Sequence, residues 1–562
     1  MNIIFNKNFI FITIIIILSF FLRFINLNTI PNGFSDDEAA FGYNAFSIIK
    51  TGNDEWGKYL PITTFKSFGD YKLPLYFYLT AVPVWVFGLN EFAVRFPTAI
   101  FGVLSVVATY FLVKKLFDEK TGLLAALLLA ISPFHIFVSR HALESAVPIF
   151  FIITGTIFFI KSFKDKQMIY LSLFLFVFSL YIYRSTWIFV PIYLAALFIF
   201  FKHEITKNLK YSIIAIGLFV VFVSPIAITS ISQSGTSRLR QIGITSEFNM
   251  IGLVNDINYQ RGICQERLPQ MLCKSIYNKY FAVSTKYISN YVSHYSPQLL
   301  FISGSFNGEQ MMTGRGFLYF IELPFIIIAL LVLGKNYKKL ESKILLPWLL
   351  IYPLASASAG FETPGRQAIS MPIWQILAAV GFFIFYNYIT KLKLTFLKSA
   401  LIAIFSLILI YQFGKFSIDY FIIYPQNSGK NFRYGYKKLF TYLKSQEQNY
   451  DKIVISNKID ESHQYILQLF FQQVNPSDFL NPTYVDRYFD NKGWVVVTRI
   501  GKYNYVSSAP GLENLSSNTL IVVNYGEINT NVKPIYQINY PDGEKEFDIY
   551  KVDDLKNPYN IL

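Results

Sequence analysis

Three consecutive carboxylates, Asp36, Asp37 and Glu38, follow closely on a long apolar stretch at the amino terminus. An ionised carboxylate within hydrogen-bond reach of a hydroxyl or amine can take its proton, so such a cluster is a candidate general base. Other positions offer the complementary chemistry. Lys72, Arg140, Arg184 and Arg366 could hold a phosphate, the arginines through their planar fork of donors. His141 and a further acid, Glu144, follow Arg140 directly. Asp37, Glu38 and Glu144 are therefore candidate catalytic acids, and Lys72, Arg140, His141, Arg184 and Arg366 candidate substrate-binding residues. Each has a plainer reading: acids favoured by the dipole at a helix start, an Arg140–Glu144 ion pair, or cations anchored at lipid headgroups.

Whether these groups can meet depends on the elements that carry them. The chain has 562 residues, 53% of them hydrophobic and only 15% charged, with a mean hydropathy of +0.38, the composition of a polytopic α-helical membrane protein. Apolar stretches at 8–27, 92–113, 121–139, 145–160, 168–183, 185–201, 211–231, 316–334, 344–360, 367–389 and 396–413 predict about 11 transmembrane helices. The first lacks a small-residue cleavage site and reads as a retained anchor. The stretch 73–88 carries Pro74 and Pro83 and has no basic flank, which fits an outer juxtamembrane or re-entrant segment better than a crossing.

The net charge of +15 orients the chain. Lys7 and five short connections hold 17 Lys against 5 acids, which accounts for +12 of that total on alternate loops, as the positive-inside rule requires of cytoplasmic segments. No basic helix, finger spacing or RNP-like run accompanies the charge, so nucleic acid is set aside. The outer face of a plasma (inner) membrane then receives the first loop 28–91, the turns carrying Arg140 to Glu144, Arg184 and Arg366, the long loop 232–315, and everything after about 414. Cys264 and Cys273 share the long outer loop, where a disulfide is expected. The span interiors hold almost no ionisable residues, unlike an ion or proton pathway.

Residues 1–414 are thus expected to form a transmembrane domain, and 415–562 an extracytoplasmic soluble α/β domain. In the latter, helices are predicted over 432–444 and 461–472, and strands over 452–456, 493–498, 519–524 and 546–551. No GxGxxG, P-loop or internal repeat is present.

Several motifs in order carry a family resemblance. Asp37-Glu38-Ala39 with Gly42-Tyr43-Asn44-Ala45, Lys72-Leu73-Pro74-Leu75-Tyr76, and Glu91-Phe92-Ala93-Val94-Arg95-Phe96-Pro97 resemble the amino-terminal signature of GT-C membrane glycosyltransferases. Within that group the chain resembles the protein O-mannosyltransferase and lipid A aminoarabinose transferase branch and its bacterial relatives. Ser139-Arg140-His141-Ala142-Leu143-Glu144 is similar to the second acidic outer turn of those enzymes. Segments starting at Asn290, with His294, and at Gly365-Arg366 are similar to recurring elements of the bacterial relatives. The likeness covers roughly residues 1–390. It implies a polyprenyl-phosphate sugar donor, an inverting single displacement, and an acid of the first outer loop as base, with Asp37, Lys72 and Glu144 on the matching positions. Leu73 departs from a proline that relatives often repeat, and the extra acid Asp36 leaves Asp36 and Asp37 both open as base.

The implied partners are that donor, membrane lipids, and an acceptor that is a protein, lipid or surface glycan. No cofactor is required, although three adjacent carboxylates could bind a divalent metal. Oligosaccharide transfer is the alternative reaction within the group. A lipid-linked sugar flippase or other transporter, or a non-catalytic membrane scaffold, are the alternatives outside it.

Overall fold

The computed structural model describes residues 7–207, 209–231, 243–305, 307–359, 363–391, 395–456, 463–490, 493–509 and 515–556. By contact the chain divides into two compact units. One comprises Met1–Ile25 and Thr98–Ser417, the other Asn26–Pro97 and Ile418–Leu562. The loop 28–91 therefore groups with the carboxy-terminal segment.

The first unit is helical. Among the described residues of the whole chain, six helices are long and apolar enough to cross a membrane: Lys7–Phe24, Glu91–Leu116, Glu144–Lys161, Leu209–Thr229, Ile373–Lys391 and Phe396–Asn427. The pair Phe320–Lys335 and Leu340–Ala357, bent by 119°, raises the number to as many as seven. Leu75–Phe87, Met168–Leu180 and Thr186–Phe200 are shorter apolar helices, below the ~20 residues of a straight crossing. The predicted span 121–139 is broken, because Ser132 caps and Pro133 opens a second short helix, Pro133–Val138, after Glu119–Ile131. The bundle relies on close backbone approach. A Cβ on Gly381 would lie 1.8 Å from the Phe325 carbonyl oxygen, so only glycine lets helices Ile373–Lys391 and Leu323–Lys335 pack here. Cys264 and Cys273 form the expected disulfide, between helices Glu247–Gln265 and Gln270–Ile276.

The second unit is mixed. Ser35 opens helix Asp36–Thr51 with a reciprocal capping box to Glu38, and Gly52 closes it at φ 74°. An antiparallel hairpin follows, β1 (Phe65–Ser67) and β2 (Asp70–Lys72). Its turn residues Phe68 and Gly69 both have positive φ, the backbone a two-residue hairpin needs. Helix Leu75–Phe87 then packs on Asp36–Thr51.

The carboxy-terminal part builds a seven-stranded sheet in the order β4 (Val485–Phe489), β5 (Val495–Ile500), β6 (Tyr503–Val506), β3 (Lys452–Ser456), β7 (Thr519–Asn524), β9 (Lys545–Lys551), β8 (Tyr536–Asn539). β3 runs parallel to β6 and β7, and the other pairs are antiparallel. The predicted helix over 432–444 lies at Tyr434–Gln446, and the second at Gln464–Gln472, with 461–462 outside the described residues. The first loop is tied into this part. Phe34 N–H donates to the Phe432 carbonyl, Val495 N–H to that of Phe68, and helix Asp36–Thr51 packs on Gln464–Gln472. A Cβ on Gly42 would lie 2.5 Å from the Phe470 ring.

Candidate functional site

Successive residues of a helix point about 100° apart, so the three acids at the start of Asp36–Thr51 enter three different environments. Asp36 is buried, its Oδ2 3.2 Å from Arg433 Nη2 and 3.4 Å from His463 Nδ1. Burial pushes its carboxyl up, but the hydrogen bond from His463 and the charge of Arg433 outweigh it, so the group sits below the usual carboxylate range.

Glu38 is fully buried. Arg95 grips both its oxygens, Nε at 2.8 Å from Oε1 and Nη2 at 3.1 Å from Oε2, and the Ser35 N–H donates to Oε2. The same guanidinium donates to the carbonyls of Leu27, Pro31 and Gly33. This geometry makes Glu38 the anchor of the loop's entry rather than an acid turned toward solvent.

Asp37 differs from both. Its side chain is 47% exposed, and its Oδ1 lies 2.8 Å from Nζ of Lys72, a residue only 7% exposed at the end of β2. The ammonium also lies over the Phe41 ring, 5.3 Å from its centroid. A half-open carboxylate is thereby held against a cation whose own stem is packed. Deeper in the same unit, Glu55 accepts hydrogen bonds from Asn44, Trp56, Ser67 and Tyr465. Burial still pushes its carboxyl up to about 7.

The remaining predicted residues belong to the first unit. Arg140 is buried and donates to the carbonyls of Leu22 at 2.8 Å and Ile25 at 2.6 Å, at the carboxy-terminal end of helix Lys7–Phe24. His141 is buried with Nδ1 3.2 Å from the Phe137 carbonyl. Glu144 begins the turn Glu144–Ala146, which packs on the short helix Pro364–Gln367 that carries Arg366. Arg140, His141, Glu144 and Arg366 thus come from neighbouring segments. Arg184 lies 5.6 Å over the Trp187 ring on the turn before helix Thr186–Phe200. His294 is buried, with Nδ1 2.5 Å from the Asn290 carbonyl, the contact of a packing histidine.

Sequence reasoning missed the partners that sort the acids. Arg433 and His463 come from the far end of the chain to hold Asp36, and Lys437 pairs with Glu91. It also missed Arg23, which donates to the carbonyls of Leu129 and Ala130 and lies 2.7 Å from Nδ1 of His135. A short apolar-flanked Arg-x-x-Asn near a span end was the available signal for the last. Among the described residues, no group of three or more His, Cys, Asp or Glu is arranged to hold a metal ion.

Comparison with known proteins agrees with the motifs. Residues 72–228 match the family described as dolichyl-phosphate-mannose-protein mannosyltransferase. YkcB of Bacillus subtilis, named as a candidate mannosyltransferase, is 27% identical over 100 residues, covering 18% of this chain and 14% of that protein. The oligosaccharyltransferase of Archaeoglobus fulgidus, solved with Zn and sulfate, matches at TM-score 0.50 and 13% identity over 82% of this chain and 61% of that one. ArnT of Cupriavidus metallidurans, solved with undecaprenyl phosphate, matches at TM-score 0.46 and 9% identity over 96% and 97%. The chain thus spans less than two thirds of the archaeal enzyme's length, and the alignment with YkcB about one seventh of that protein. At 13% identity the likeness to the archaeal enzyme concerns the fold alone. The chain resembles the GT-C glycosyltransferases both in its motifs and in the family match over 72–228.

Proposed function

We propose that the chain is a multi-spanning GT-C-type glycosyltransferase that moves a sugar from a polyprenyl-phosphate-linked donor to an acceptor outside the cytoplasm. The observation that carries this reading is the Asp37–Lys72 pair, a half-exposed carboxylate 2.8 Å from a largely buried ammonium, in the loop that leads into the matched family segment. The description of the matched family, dolichyl-phosphate-mannose-protein mannosyltransferase, supports a lipid-phosphate sugar as the donor class.

The reaction is a single displacement. Asp37 accepts the proton of the acceptor hydroxyl as the acceptor oxygen attacks the anomeric carbon. The bond from that carbon to the phosphate oxygen breaks, its electron pair leaves on the phosphate, and the configuration inverts. Lys72 exchanges its ion pair with Asp37 for the donor phosphate, which frees the carboxylate as base and steadies the charge that develops on the leaving group. Asp36 and Glu38 keep the loop in place through Arg433, His463 and Arg95. Of the two acids left open by sequence, the more exposed Asp37 is the one we assign as base. No metal has a role in this scheme, so transfer is expected to continue in excess EDTA.

The lysine-rich connections face the cytoplasm. Cysteine labelling at Ser35 and Lys338 should then occur from opposite faces, and labelling from one face would overturn the orientation. For the chemistry, Asp37→Asn should insert and fold normally yet lose transfer from a polyprenyl-phosphate sugar. Near-normal transfer by that variant would remove the base assignment.

A further inference from the structure

A groove of about 540 Å³ opens within the second unit, between the segment that follows the first span and helix Tyr434–Gln446. The reaction above makes no use of it. Arg433, Lys437 and Lys438 bring three cations to its wall, against Glu91 among its described lining residues. Arg433 and Lys437 are held in place by ion pairs with Asp36 and Glu91. Lys438 is exposed, with Nζ 4.8 Å from the Tyr434 ring centroid. Asn28, Thr29 and Asn32 also line it; the Thr29 hydroxyl donates to the Asn26 carbonyl and the Asn32 amide to that of Pro425. Tyr442 adds an aromatic wall stacked on Tyr536 at 4.1 Å.

Its place in the chain limits its depth. Asn28 follows Phe24, the last residue of the first span, by four positions. At ~3.5 Å per residue the chain tethers this wall within roughly 15 Å of that span end. That is the zone of lipid headgroups, where tyrosines and cations gather and where each Lys or Arg near an anionic surface is attracted. The volume suits a headgroup with its acyl chains left in the bilayer.

We propose that this groove binds the phosphate-bearing headgroup of an anionic membrane lipid of the phosphatidylglycerol class. Arg433, Lys437 and Lys438 take the phosphate. Asn28, Asn32 and Thr29 hydrogen-bond the headgroup hydroxyls.

The test uses the purified full chain in neutral detergent, with native mass spectrometry to follow binding of phosphatidylglycerol and phosphatidylcholine. Phosphatidylglycerol should bind about tenfold tighter, and Lys437→Glu/Lys438→Glu should lose that preference. The control pair Lys533→Glu/Lys551→Glu, on exposed lysines outside the groove, should keep it. Because Lys437 also pairs with Glu91, Lys438→Glu and Tyr442→Ala are measured separately with Tm as the folding check, and each should weaken binding severalfold at unchanged Tm. Glycerol phosphate should compete with the lipid. Equal binding of the two lipids, equal loss in the control pair, or groove-dependent binding of inorganic phosphate with no lipid preference would each overturn the proposal.

Discussion

The acids that begin the second unit's first helix and the arginines of the first unit are both charges taken out of water, yet they are satisfied in opposite ways. Asp36 and Glu38 are met by cationic side chains, Arg433, His463 and Arg95. Arg23 and Arg140 have main-chain carbonyls at helix ends among their acceptors: Ser19, Leu129 and Ala130 for the first, Leu22 and Ile25 for the second. The carbonyls of Leu129, Ala130, Leu22 and Ile25 lie at or just past a helix carboxy-terminus, the negative end of its dipole. The acids are therefore organised by neutralisation, which leaves Asp37 with half its surface open. The arginines are organised as clasps that close helices. On the proposed reading the first region carries chemistry and the second architecture, and each half of that reading can be broken.

The largest effect is expected at Asp37. Asn keeps the size of the side chain and loses the base, so kcat should fall by about 10²–10⁴-fold, with Tm little changed. Asp36→Asn should instead lower Tm, because it weakens the hold of Arg433 and His463. A reversal of these two outcomes would exchange their roles. Arg95→Met is next. It strands Glu38 as a buried charge, which costs about 3–5 kcal/mol, read as loss of folded protein or a large drop in Tm. Glu38→Gln combined with Arg95→Met should recover part of that loss, whereas an additive double variant would show that the two residues act separately.

Glu55 distinguishes the second unit through pH. Burial raises its pKa to about 7 from 4.5, so the folded state keeps a proton that the unfolded chain releases. Its contribution to stability is fully present below pH ~4.5, is lost as pH rises toward 7, and is flat above that. The change is roughly 3 kcal/mol at most. Glu55→Gln should remove this slope from the Tm–pH curve while lowering Tm throughout, since an amide cannot accept from all of Asn44, Trp56, Ser67 and Tyr465. An unchanged slope would place the titrating group elsewhere.

Local chemistry was legible where a few neighbouring residues decide the structure. Ser35, Glu38 and Gly52 mark both ends of the helix Asp36–Thr51, and the apolar runs at β3 and β7 lie at the predicted positions. Strands β4, β6 and β8 escaped notice because Val-Asp-Arg-Tyr-Phe, Tyr-Asn-Tyr-Val and Tyr-Gln-Ile-Asn mix polar and aromatic residues. Their strand character comes from pairing, not from propensity. Apolar length alone could not show that Ser132 and Pro133 interrupt a predicted span. Least legible were the partners of the acids. Asp36 and Arg433 lie 397 positions apart, and no periodicity in one sequence relates residues at that distance. Sequence left Asp36 and Asp37 both open as base, and it is their different partners, Arg433 with His463 against Lys72, that set them apart.

The smallest expected effect belongs to Arg140, and it separates a clasp from a substrate contact. Lysine preserves the charge, but a compact ammonium cannot span two carbonyls as the guanidinium fork does. Arg140→Lys should therefore cost about 1–2 kcal/mol through one weakened hydrogen bond, seen as a lower Tm with KM for the donor nearly unchanged. A phosphate contact predicts the opposite pattern, because Lys still supplies a charge but loses bidentate recognition. KM would then rise at constant Tm. The burial of Arg140 and its short bonds to Leu22 and Ile25 favour the first outcome, since binding a phosphate there would leave those two carbonyls without their guanidinium partner.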